Sequence, residues 1–347
     1  MYDATWPLSV HAIVFVVSAV LVAVVGVRLT DYAARIARRT GLGQALTGAL
    51  FLGATTSLSG ITTSVTAAAT GHPELAASNA VGGIAAQTVF LAIADRLYRK
   101  ANLEHAAASD ENMLQGALLI SLLALTLLAA FSPAYSVFGV HPVTVIILLA
   151  YAFGQRLVMT AKGQAMWQPR VTEHTQIEEQ VHSGAEGDSR SMMSIWTRFA
   201  ISAVAIGVFG YALARSGVAV ADATGLSQTL LGGLFTAVAT SFPELVTAVA
   251  AVRIGALTLA VSDIMGGNAF DVIFLAVADL AYRDGSLYHA MGSRPTFLIL
   301  LTILLTSILL MGLIRREKHG IANIGFESFL LFLVYAGGFL IVATTIG

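Results

Sequence analysis

The sequence predicts an all-α integral membrane protein: ten transmembrane helices arranged as two inverted five-helix repeats. Three observations predict it. The chain of 347 residues is 56% hydrophobic and 11% charged, with a mean hydropathy of +0.79, whereas soluble domains carry about a quarter charged residues. Its apolar stretches are roughly 20 residues or longer, enough to cross a bilayer as helix. The two halves of the chain also resemble each other at a fixed offset, with an odd number of spans in each.

The ten spans are expected, with loose bounds, at 9–29, 43–70, 75–97, 113–131, 142–160, 195–215, 226–252, 256–281, 296–314 and 321–346. Residues 1–7 lack a basic run, so the first stretch reads as a span and not a cleaved signal. Thirty-two glycines suit tightly packed membrane helices. No Cys is present, which excludes disulfides and thiolate metal sites. Residues 1–160 form the first repeat, 161–194 a polar cytoplasmic loop, and 195–347 the second repeat. The loop carries Glu173, His174, Glu178, Glu179, His182, Glu186 and Asp188. It reads as a solvated segment in preference to a regulatory metal site.

Basic residues set the orientation. Fourteen Lys and Arg follow spans one, three, five, seven and nine, against Arg215, Arg283 and Arg294 on the other side. Both termini are therefore expected on the non-cytoplasmic side of what is taken to be the cell membrane.

Shifted by 184 residues, 44–99 aligns with 228–283 without a gap, and 24 of 56 positions are identical. The matches include Thr56-Ser57 with Thr240-Ser241, Gly71 with Gly255, Gly82-Gly83 with Gly266-Gly267, Asp95 with Asp279, and Tyr98-Arg99 with Tyr282-Arg283. Five spans per half make the second copy enter the membrane from the opposite side. That layout places a polar site at mid-membrane between the halves.

Two acids stand at that depth: Glu244, after Thr240-Ser241-Phe242-Pro243, and Asp271 on the following span. A carboxylate there costs a few kcal/mol or more in lipid and marks a polar site. Pro243 cannot donate a backbone hydrogen bond, so the helix is expected to break. Carboxylates, hydroxyls, amides and freed carbonyls are the oxygen ligands that hard cations take. Thr240 and Ser241 supply hydroxyls, and Asn268 lies three residues before Asp271 on a similar face. At the matching places the first copy has Thr56 and Ser57, then Ser59 for Pro243, Gly60 for Glu244 and Gln87 for Asp271.

Residues 239–245 with 262–272 resemble the second alpha repeat of the cation/calcium exchanger superfamily, with its Thr-Ser-Leu-Pro-Glu-like break and Gly-Asn-x-x-Gly-Ser-Asn-like helix. The first-half motif, Thr56-Ser57-Leu58-Ser59-Gly60, is a degenerate version. The resemblance extends to the ten-span layout. It implies a secondary active antiporter exchanging Ca2+ or a related divalent cation for H+ or Na+ by alternating access. Glu244 and Asp271 would bind the ion, with Thr240, Ser241, Thr56, Ser57 and Gln87 as flanking oxygens and Asn268 beside them. The family usually has a glutamate where Gly60 stands, and often serines where Gly83 and Gly267 stand.

With Glu244 and Asp271 as the only central acids, the site holds at most two negative charges. Three sodium ions would leave excess positive charge in a low-dielectric place. Protons, or one to two sodium ions, are the expected coupling ions. The loss of the first glutamate also admits Mg2+ transport, Na+/H+ exchange, or a non-transporting ion-sensing descendant. No phosphate loop or hydrolytic constellation is present, so no enzyme or ATP-driven pump is indicated. The expected partners are inorganic cations and the lipid bilayer, with no cofactor and no nucleic acid. A monomer suffices for this layout, and homo-oligomerisation is left open. Asp95 and Asp279 read as interfacial ion pairs with Arg99 and Arg283 or as helix-end anchors, Glu74 and His72 as parts of a solvated turn, and Glu327 as reaching the interface.

Overall fold

The computed structural model describes residues 6–41, 44–98, 100–107, 109–161, 191–223, 236–318 and 325–344, together with 170, 172, 173 and 175. Among these the protein is all-helical, apart from a single bridge between Val137 and Val140. The helices are α1 (Leu8–Thr40), α2 (Gln44–Thr56), α3 (Leu58–Ala69), α4 (Pro73–Leu97), α5 (Leu103–Ala106), α6 (Asp110–Phe131), α7 (Pro142–Ala161), α8 (Met192–Ala223), α9 (Ala237–Thr240), α10 (Phe242–Arg253), α11 (Leu257–Ala281), α12 (Leu287–Ala290), α13 (Ser293–Arg315) and α14 (Phe326–Thr344). Most of the 161–194 loop, and with it the metal reading of its acids and histidines, lies outside the described residues, as does the first part of the span expected at 226–252.

Eight of these helices are long and apolar enough to cross a membrane, or nine if α2 and α3 are one bent span. The span expected at 43–70 is not one straight helix. It breaks at Ser57, and its two pieces are bent by 51°.

Sequence composition sorts the helices by depth. The helices α4 and α11, rich in Ala and Gly, are buried along most of their length. Small side chains let neighbouring backbones approach, and packing takes the place of a hydrophobic driving force. A Cβ on Gly53 would lie 2.6 Å from the Cα of Gly267, so α2 and α11 touch backbone to backbone. By contrast α1 exposes Ile13, Val16, Val20, Val24 and Val27 along one side, an apolar face suited to lipid, and packs its other side on α8 and α10.

The offset of 184 reaches much further than the sequence matches. Shifted by it, the first residues of α1, α3, α4, α5 and α7 become those of α8, α10, α11, α12 and α14. Backbone detail recurs too. The turn before α4 has Gly71 at φ +78° and the turn before α11 has Gly255 at φ +77°, the left-handed conformation that glycine adopts at a helix end without steric cost.

Asp95 and Asp279 take the helix-end anchor reading, and Arg99 lies outside the described residues. Both acids are fully buried, as is Glu327 against the expectation that it reaches the interface. Asp95 accepts from the Leu103 backbone N–H at 2.7 Å and from Ser328 Oγ at 2.9 Å. Asp279 accepts from the Leu287 N–H at 2.8 Å, from Thr144 Oγ1 at 2.6 Å and from the His141 N–H at 2.9 Å. Each acid anchors the short helix that follows it and a hydroxyl of the other half's last helix. Glu74 is partly exposed and pairs with Arg294 at 3.3 Å.

Candidate functional site

The site is built on two helix breaks. Helix α2 is π-helical from Thr47 to Gly53 and the chain breaks at Ser57, with φ −75° and ψ 0°. Ser241 breaks the chain between α9 and α10 in the same way, with φ −91° and ψ 3°. Pro243 sits in the first turn of α10, but the first break has Ser59 in its place, so proline alone does not cause it. At both breaks a threonine hydroxyl shares a main-chain carbonyl with the serine N–H: Gly53 O also takes the Ser57 N–H and Ala237 O the Ser241 N–H, each at 3.1 Å. Thr56 Oγ1 donates to Leu52 O and Gly53 O at 3.1 and 3.0 Å, and Thr240 Oγ1 donates to Ala237 O at 3.1 Å. Ser59 Oγ ties the breaks together by donating to Thr240 O at 3.0 Å.

Between the breaks lie the acids. Ser57 Oγ donates to Glu244 Oε1 at 3.1 Å. Gln87 Nε2, from α4, donates to Asp271 Oδ2 on α11 at 2.8 Å and to Ser241 Oγ at 3.2 Å. Gln87 and Asp271 stand 184 residues apart, so counterparts in the two halves touch each other here. A Cβ at Gly83 would already lie 3.2 Å from Ser241 Oγ. Asn268 Nδ2 donates to Thr88 Oγ1 at 3.0 Å.

All eight residues expected at the site, Thr56, Ser57, Gln87, Thr240, Ser241, Glu244, Asn268 and Asp271, are buried. Four of their oxygens, Glu244 Oε2, Asp271 Oδ1, Gln87 Oε1 and Asn268 Oδ1, have no hydrogen-bond partner. A buried acceptor left unpaired costs about 1–3 kcal/mol, and more when charged. A surplus of acceptors is the donor set a hard cation fits. Among the described residues no Lys, Arg or His pairs with either acid.

The glycines that depart from the superfamily pattern stand in tight places. A Cβ at Gly60 would lie 2.9 Å from Cε2 of Phe274, so the ring fills the space where the first-repeat glutamate would begin. A Cβ at Gly267 would lie 3.3 Å from Gly53 Cα, leaving little room for serine.

Sequence reasoning left a third acid out of its count of central charges. Asp263, on α11, is fully buried and accepts from Thr247 Oγ1 at 2.6 Å, while the same hydroxyl lies 3.0 Å from Glu244 O. The count of two central charges therefore becomes three. Its counterpart at the repeat offset is Asn79, and that Asn-to-Asp difference was the available signal.

A polytopic helical protein with a buried centre of acids and neutral oxygens, formed where two broken helices meet, is the class this geometry defines. The family model described as sodium/calcium exchanger protein matches residues 10–159 and 194–344, and the chain belongs to that family. Among solved structures the fold is similar to the sodium-calcium exchanger NCX_Mj soaked with 2.5 mM Na+ and 0.1 mM Sr2+, with TM-score 0.69 and 16% identity over 97% of this chain and 99% of that one. It is also similar to the H+/Ca2+ exchanger CAX, with TM-score 0.66 and 14% identity over 95% of this chain and 82% of the other.

Proposed function

We propose that the protein is a secondary active antiporter that exchanges Ca2+, or a related divalent cation, for H+ or Na+ by alternating access. Family membership supports cation antiport. The observation that carries the ion site is the set of four unpaired buried oxygens on Glu244, Asp271, Gln87 and Asn268. Glu244 and Asp271 bear the charge, while Ser57, Ser241, Thr56 and Thr240 line the breaks around them. Burial and mutual repulsion disfavour bare charge at this depth, so protons compete with the divalent ion.

The architecture proposed for this cycle is ten spans in two inverted repeats, 1–160 and 195–347, joined by a cytoplasmic loop, with both termini outside the cell membrane. The recurrence of helix bounds and of the aspartate anchors at one offset supports it. Helices α2, α3, α4 and α9 to α11 form the core, and α1 and α8, whose long apolar faces carry no central charge, slide past it. The monomer contains the whole site.

One observation favours an altered substrate. The charge lost at Gly60 shrinks the central demand for Ca2+, and Mg2+ or Na+/H+ exchange follows if the remaining oxygens bind through water or take a monovalent ion. Reconstituted flux tests both readings. Proteoliposomes under imposed Na+ and pH gradients are supplied with Ca2+, Mg2+ or Na+, with wild type beside Glu244→Gln. Gradient-driven Ca2+ uptake that disappears in the mutant is expected. Mutant uptake equal to wild type would sink the site assignment, and absence of any cation flux in wild type would leave the ion-sensing reading.

A further inference from the structure

We propose that Asp263 is a third ion-binding carboxylate, holding one monovalent cation, H+ or Na+, beside the Glu244–Asp271 pair. The proposal rests on the exchanger reading and adds the site of the coupling ion to it.

Asp263 lies on α11 two turns before Asp271, on the side of the centre where α10 turns back into α11. Its side chain is wholly buried. Oδ2 accepts one hydrogen bond, from Thr247, and Oδ1 has no partner. Thr247 stands one turn after Glu244, and its hydroxyl also reaches Glu244 O. The hydroxyl therefore links the turn that presents Glu244 to the carboxylate of Asp263. A buried carboxylate with a single neutral hydrogen bond is costly unless a proton or cation neutralises it.

The other half of the molecule supplies the control. Asn79 occupies the equivalent place on α4. Its Nδ2 donates to Ser64 Oγ at 2.9 Å and to Gly60 O at 3.2 Å, and its Oδ1 lies 3.4 Å from Thr240 Oγ1, whose one proton it shares with Ala237 O. Both polar atoms of Asn79 are used, and the residue is neutral. An amide thus meets the structural requirement at this position. The second half carries an isosteric acid instead and leaves one of its oxygens idle, which packing does not explain.

The surroundings offer no internal counter-charge. The titratable groups that act on Asp263 or share its surroundings are Asp271 on its own helix and Glu244 on α10, both acids. Helix α4 contributes the amides Asn79 and Gln87, α2 and α3 contribute hydroxyls, and α7 contributes the phenol of Tyr151 near Asp271. No Lys, Arg or His pairs with any of the three acids among the described residues. In the state without the divalent ion, one monovalent cation neutralises Asp263, and it is given up when the divalent ion enters at Glu244 and Asp271 beside it. In the orientation proposed from the basic residues, this site lies on the cytoplasmic side of the centre.

The test uses purified full-length protein: wild type, Asp263→Asn and Asp263→Glu, each first checked for an unchanged melting temperature. Sodium binding without divalent ion is measured by equilibrium dialysis across a pH series. Protons released on Ca2+ binding are counted by calorimetry in two buffers of different ionisation enthalpy. Asp263→Asn is expected to lose about tenfold or more in Na+ affinity, or to release one proton fewer per Ca2+, and to keep Ca2+ affinity within a few fold. Asp263→Glu is expected to retain the monovalent site. Sodium binding and proton release both unchanged in Asp263→Asn overturn the proposal. If that variant does not fold, Thr247→Val, which removes the hydroxyl on Oδ2, carries the same expectation with a smaller loss. Failure of the exchanger reading shows separately, as wild-type flux in Glu244→Gln.

Discussion

The break at Ser57 and the break at Ser241 share their backbone but not their chemistry. Both interrupt a helix at a serine with ψ near zero, and in both a threonine hydroxyl reaches a carbonyl of the preceding turn. One is followed by Ser59-Gly60, the other by Pro243-Glu244. The geometry is therefore set by the hydroxyls and by packing on the partner half, while the charge is free to differ. A duplicated fold can keep its frame and concentrate its acids in one copy, because side chains of both copies meet at one buried centre.

Several substitutions break or sharpen this comparison, and the largest effect is expected at Glu244. Glu244→Gln removes the charge and should abolish cation-driven uptake in proteoliposomes, whereas Ser57→Ala, which deletes only the hydrogen bond to Glu244 Oε1, should weaken divalent binding by about tenfold. Next is the steric half of the comparison. Gly53→Ala drives a methyl into the Gly267 backbone and should destabilise the protein by about 1–3 kcal/mol in a detergent melting experiment.

Gly60→Glu restores the superfamily acid on paper, but the ring of Phe274 stands against its Cβ. It should lower stability by a similar amount, about 1–3 kcal/mol, and leave flux dead when combined with Glu244→Gln. Recovery of flux in that double variant would show that the two breaks are interchangeable.

The smallest effect contrasts the two ends of the bundle. Glu104, on the short helix α5, is buried beside Asp95 and Glu327, and both of its oxygens lack partners. Burial first, then the charges of Asp95 and Glu327, hold its carboxyl well above the usual range. Folding thus favours the protonated form. The stability this provides is full below the ordinary carboxylate pKa and is lost as pH rises, by up to about 1.4 kcal/mol per pH unit. Glu104→Gln should melt close to wild type in acid and above it at alkaline pH. Its counterpart at the repeat offset is Tyr288, so no matching pH effect is expected from Tyr288→Phe.

Much of this was legible in the sequence. Hydropathy and the offset of 184 marked the apolar helices and the eight candidate residues, and the motif resemblance pointed to the family, because glycines, hydroxyls and acids in register are rare in apolar segments. The eventual pairing was not legible. From their place in the sequence Asp95 and Asp279 read as ion pairs or helix-end anchors. They reach Ser328 and Thr144 in the opposite half, a contact no local spacing encodes. Asp263 was visible as a departure from Asn79, but its isolation was not.

By itself the sequence determined that the chain is a bundle of membrane helices with acids at the centre of the second half. Apolar length and buried charge are properties that lipid reads residue by residue. Only the tertiary structure decided that Gln87 and Asp271, counterparts 184 residues apart, would meet. Only it decided that Phe274 would fill the space above Gly60 and that one oxygen of Asp263 would be left unpaired. Those outcomes depend on how two halves of the chain pack against each other, and packing is fixed by shape across the interface between them.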